Sequence, residues 1–138
     1  MLRLFDVGDQ PRIADEALAV EHFLGMAQSR AVTWISGEVI EAELLGNPDL
    51  EIRSEAMRLL AHAAERIVLD DESLDRAAEL ERVGYGAFDA LHLASAEQAE
   101  ANCLLTTDDR FLRRVRRGMG VPLIQVQNPV DWIRRFRP

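Results

Sequence analysis

The strongest constraint on the fold is an alternation of two kinds of segment. Short apolar runs rich in β-branched residues lie at 31–35 (A-V-T-W-I), 66–69 (R-I-V-L), 103–106 (C-L-L-T) and 121–126 (V-P-L-I-Q-V), with stretches of helix length between them. The runs lack polar alternation, which marks strands buried on both faces, and the intervening helices supply the cover. An α/β fold with a parallel sheet covered by helices on both sides is predicted. A length of 138 residues suits one domain over 1–138.

Local signals place the helices. Over 11–29, Ile13, Ala17, Val20, Phe23 and Leu24 fall on one face. Ser36 is predicted to cap a helix running to about Leu45, ended by Gly46-Asn47-Pro48. A further helix is expected over 49–65, and Asp70 or Asp71 caps another ending near Arg82. After the Gly84-Tyr85-Gly86 break, 87–101 is alanine-rich and helical. A helix over 108–117 stops at Gly118, and Asn128-Pro129 opens a last one through Phe136.

Composition narrows the function classes. The net charge of −8 argues against a general nucleic-acid coat protein. All sixteen basic residues are arginine, and eight lie between Arg110 and Arg137, a local patch able to hold phosphate. The lone cysteine, Cys103, cannot form an internal bridge, and no zinc-type Cys/His cluster exists, so a reducing cytoplasm is expected. No run approaches the roughly 18 apolar residues of a membrane helix, and the first residues lack the apolar segment of a signal peptide.

In open α/β sheets, ligands bind beyond the carboxyl ends of the strands. Glu38, Glu41 and Glu43 follow the first run, Asp108 and Asp109 follow the third, and Asp89 opens the helix before it. Carboxylates gathered there repel by roughly 1 to 4 kcal/mol per close pair, which a divalent cation relieves. Hard oxygen donors favour Mg²⁺ or Mn²⁺ over zinc. Each residue also has a plain structural role open to it. Asp108 stands where an N-cap belongs, Asp89 complements a helix dipole, and the glutamates suit a solvated face. His92 reads as a packed histidine, His22 and His62 carry no signal, and the 113–117 arginines suit a helix C-terminus.

The order of two motifs goes further. D-A-L-H-L-A-S-A (Asp89 to Ala96) followed by L-L-T-T-D-D-R-F (Leu104 to Phe111) resembles the C-terminal half of the PIN domain family. S-G-E-V-I-E-A-E-L (Ser36 to Leu44) resembles that family's second-strand exit, a match that selects Glu43. Asn47 to Asp49 and Asn128 to Trp132 are similar to its VapC-like bacterial ribonuclease toxins, and the likeness covers about Phe5 to Phe136. The resemblance implies a three-layer α/β/α domain that holds Mg²⁺ or Mn²⁺ and hydrolyses RNA phosphodiesters. It implies Glu43, Asp89 and Asp108 as catalytic metal ligands, Thr106 as a supporting hydroxyl, and Arg110, Arg113 and Arg114 as RNA contacts. It also implies a cognate antitoxin and a homodimer.

One part of the family pattern has no counterpart. The expected first strand, apolar residues followed by an aspartate, is not found; Gln10 to Ile13 resembles the loop after it. Three readings follow: the start is assigned too late and the strand is truncated, the chain is a degenerate member, or Leu2 to Phe5 substitutes and places Asp6 near the absent carboxylate. A central strand buries about three or four apolar side chains, each worth about 1.5–3 kcal/mol, against a total stability of about 5–15 kcal/mol. Loss without replacement predicts a weakly stable or impaired domain. The alternative is a catalytically inactive PIN-like domain that binds RNA or a protein partner. A phosphotransfer receiver is disfavoured, because the chain has no lysine.

Overall fold

The structure, a computed structural model, describes residues 10–136. Leu2 to Phe5 and Asp6, the candidate substitute strand and carboxylate, lie outside the described residues. The elements run α1 (Gln10–Gln28), β1 (Ile35–Gly37), α2 (Glu38–Leu45), α3 (Leu50–Leu60), β2 (Glu65–Ile67) and α4 (Asp71–Arg82). Then follow α5 (Ala87–Gln98), β3 (Cys103–Leu105), α6 (Asp109–Arg116), β4 (Gln125–Gln127) and α7 (Pro129–Arg135).

The strands pair in parallel. Ile35 lies opposite Glu65 and Gly37 opposite Ile67, while Cys103 lies opposite Gln125 and Leu105 opposite Gln127. Among the described residues these form two separate ladders, β1-β2 and β3-β4. Strand period puts alternate side chains on opposite faces, and two core clusters follow from it. Leu104 and Ile35 join Leu80, Tyr85, Leu93 and Phe111, from α4 to α6. Leu105 and Trp34 join Phe23, Ile40, Leu44, Leu60 and Trp132, from α1, α2, α3 and α7. Helices therefore cover both faces of the strands, as the alternation of runs predicts. Leu80, Leu93, Leu104 and Phe111 are fully buried, each worth about 1.5–3 kcal/mol of apolar transfer.

Burial on both faces holds for β1 and β3 but not for the outer strands, where Glu65, Arg66 and Gln125 are exposed. Strand boundaries also move. β1 begins at Ile35 instead of ending there, because Ala31 and Thr33 stay exposed as the chain leaves α1. Ser36 is thus a buried strand residue; Gly37 occupies the N-cap of α2 and makes no side-chain cap. α3 ends at Leu60, five residues short of the predicted limit. β4 starts late because Gly118, Gly120 and Val121 all adopt positive φ, turning the chain ahead of the strand.

Gly37 is demanded by proximity. A Cβ built there would meet the Ile67 carbonyl oxygen at 2.8 Å, so only glycine lets β1 close on β2 and enter α2 directly. That junction aims α2, and with it the glutamates.

Candidate acidic site at the carboxyl ends of the strands

Helix α2 carries three glutamates, and the structure gives each a different partner. Glu38 Oε1 accepts from the Leu69 amide at 2.8 Å, tying α2 to the exit of β2. Glu41 receives Arg66 through Nε at 2.9 Å and Nη2 at 2.6 Å. That hydrogen-bonded guanidinium holds the Glu41 carboxyl below its ordinary range. Glu43, about 200° around the helix from Glu41, turns the other way. Its Oε1 lies 3.2 Å from His92 Nε2 on α5. The resemblance-based choice of Glu43 from the three thus coincides with the glutamate that faces α5.

Helix α5 contributes Asp89 and His92. Asp89 lies in the first turn after the Gly86 cap and is buried. A carboxylate there is favoured by the helix N-terminus. His92, three residues on, shares the Asp89 face of the helix. The Glu43–His92 contact therefore sets the α2 carboxylate beside the part of α5 that carries Asp89.

The third contribution comes from the end of β3. Thr106 is fully buried, and its amide donates to Gln127 O at 3.0 Å, extending the ladder with β4. Its Oγ1 accepts from the Asp108 amide at 3.1 Å. Asp108 is the N-cap of α6, accepting through Oδ1 from the amides of Arg110 at 2.9 Å and Phe111 at 3.3 Å. The capping role is therefore real.

Beyond this cap, α6 leaves Arg110 and Arg113 exposed and Arg114 partly so. Arg116 and Arg117 continue the exposed basic ridge.

Two structural partners were not legible from spacing. Arg12 on α1 donates to both carboxylate oxygens of Asp109, through Nη1 to Oδ2 and through Nη2 to Oδ1 at 2.7 Å, and to Thr107 O at 3.2 Å. It also reaches Glu16, which is buried and accepts from Asn128 Nδ2. This network clamps α1 against the turn that displays Asp108 and against the start of α7. The Arg12 guanidinium, as hydrogen-bond donor and near charge, holds the Asp109 carboxyl below its usual range. The other missed partner is His92, buried as expected but hydrogen-bonded to a site glutamate.

A family model for the PIN domain matches residues 12–117. The chain belongs to the PIN domain family. The matched span contains Glu43, Asp89, Thr106, Asp108 and the arginines of α6. No curated protein and no solved structure matches the chain.

PIN membership implies a divalent cation, and the residues can be tested against one. The donors are hard carboxylate oxygens of the right type. Yet among the described residues no three His, Cys, Asp or Glu side chains stand together as a metal-binding group. Glu43 gives Oε1 to His92, and Asp108 gives Oδ1 to its helix cap. The described donor set does not fit a complete Mg²⁺ or Mn²⁺ site. Cys103 adds no reactive group, because burial pushes its thiol up to about 11. No helix among the described residues is long and apolar enough to cross a membrane.

Proposed function

We propose that this PIN domain is an endoribonuclease that hydrolyses RNA phosphodiester bonds, with Glu43, Asp89 and Asp108 as its catalytic carboxylates. The observation that carries the reading is the family match, which spans all three residues. The Glu43–His92 contact, which joins α2 to the Asp89-bearing helix, supports it.

The roles follow from chemistry. Asp89 and Glu43 supply negative oxygen to the reacting edge, and Thr106 fixes the turn that presents Asp108. Arg110, Arg113 and Arg114 take RNA phosphates and set the strand's register without reading its sequence. Mg²⁺ or Mn²⁺ is the family's cofactor; the described donors do not complete its site, and no catalytic step is derived through it. The proposal extends to a cytoplasmic VapC-like toxin that forms a homodimer and is restrained by a cognate antitoxin. The acidic remainder of the surface suits a basic antitoxin segment.

A second reading, an inactive PIN-like domain that binds RNA or a protein partner, is favoured by one observation. Glu43 meets His92 and Asp108 caps α6, so both carboxylates already have protein partners. Incubating the protein with mixed RNA in Mn²⁺ or in EDTA separates the two. Cleavage that EDTA abolishes supports the nuclease; RNA retention without cleavage in Mn²⁺ supports the binder.

A further inference from the structure

We propose that His92 is the positioning residue that fixes the Glu43 carboxylate at this site. The functional half of the proposal rests on the nuclease reading above. Its structural half stands by itself.

The His92 ring is 1 % exposed, with the Phe88 ring centroid 6.5 Å away. Its Nε2 lies 3.2 Å from Glu43 Oε1. An ionised carboxylate only accepts, so Nε2 carries the hydrogen in this contact and the tautomer follows from the partner. A packed ring has little rotamer freedom left. Glu43 differs: its side chain is 26 % exposed and sits close to the end of a short helix. Left alone, such a long side chain samples several rotamers. A donor held on a rigid neighbour favours the orientation that meets α5.

A merely space-filling role does not account for the residue. Burying an imidazole costs free energy unless its polar atoms are bonded, and a leucine would fill the volume without that cost. The histidine also lies one turn from Asp89. One rigid helix thus carries both the donor that orients Glu43 and the second carboxylate, as a preorganised site requires.

The test uses the full chain. In ¹⁵N-histidine NMR, the proposal predicts a His92 ring in the Nε2–H form whose signals move in Glu43→Ala and stay in place in Glu41→Ala. Signals indifferent to Glu43→Ala overturn it. In RNA cleavage assays with Mn²⁺, His92→Leu keeps the volume and removes the donor, whereas His92→Gln keeps a donor. The expected result is a fall in kcat of about tenfold or more for His92→Leu, in line with other orienting partners, with KM little changed and most of the rate recovered in His92→Gln. Wild-type kcat in His92→Leu overturns the positioning role. A wild-type protein that cleaves no RNA sinks the nuclease reading, and the ring signals still decide whether His92 holds Glu43.

Discussion

The amide of Asp108 donates to the hydroxyl of Thr106 at 3.1 Å, closing a two-residue turn at the end of β3. Threonine is suited to this position because its short hydroxyl bonds to the backbone two residues on. The turn aims the Asp108 side chain at the first amides of α6, so one residue serves both as cap and as candidate catalytic carboxylate.

The two roles of Asp108 separate by substitution. Asp108→Asn retains the capping oxygen and is expected to leave chemical-denaturation stability within about 0.5 kcal/mol, while RNA cleavage falls sharply. Asp108→Ala removes both and should cost about 0.5–2 kcal/mol. Unchanged cleavage in Asp108→Asn would leave the residue as a cap alone.

Gly37→Ala should be destabilising despite the extended backbone at that position. The added methyl meets the Ile67 carbonyl at 2.8 Å, in the ladder itself, and relief requires β1 and β2 to part. A cost of about 1–3 kcal/mol is expected, read as a lower urea midpoint. Wild-type stability would mean the strands yield without strain.

The Arg12–Asp109 pair predicts a pH dependence with a definite sign. The folded-state carboxyl of Asp109 is depressed, so its stabilisation is present above the unfolded value near 4 and is lost as pH falls through the folded value. Asp109 is half exposed, which limits the contribution to about 0.2–1 kcal/mol. Arg12→Gln should flatten the acid limb of a melting-temperature profile below pH 4. An identical limb in the two proteins counts against the pair.

The α6 arginines make a prediction in salt. If Arg113 and Arg114 take phosphates, replacing each with alanine should weaken binding to single-stranded RNA uniformly across sequences. The slope of log affinity against log salt should fall by about 0.7 per lost contact. A slope equal to wild type in the double variant would remove α6 from the interface.

The sequence exposed the helices and the layer order better than the strand limits, and the reasons are local. The apolar run 31–35 has the composition of a strand, yet the ladder begins only where Ile35 meets Glu65. Composition marks an apolar run but not the register of its partner. Val121 is β-branched and reads as strand, but its φ of 52° places it in a turn that tertiary contacts hold: Arg76 Nη2 reaches Gly120 O at 2.8 Å and Val121 O at 3.1 Å. At the site, the likeness of Ser36 to Leu44 to the family's second-strand exit selected Glu43, and in the structure that glutamate meets His92 on α5. Neither Arg12 nor the bond of His92 could be read in advance. Arg12 and Asp109 stand 97 positions apart, and Glu43 and His92 stand 49 apart. Such pairs form only once α1 and α2 have docked.

The central claim is that Asp89, a buried carboxylate on α5, takes part in RNA hydrolysis. Its most direct test is the cleavage rate of Asp89→Asn beside wild type, in Mn²⁺, with circular dichroism to match their folding. The account predicts EDTA-sensitive cleavage by wild type and a loss of about a hundredfold or more in the variant, as expected for a group acting in proton transfer or charge stabilisation. Equal rates in two equally folded proteins would contradict it.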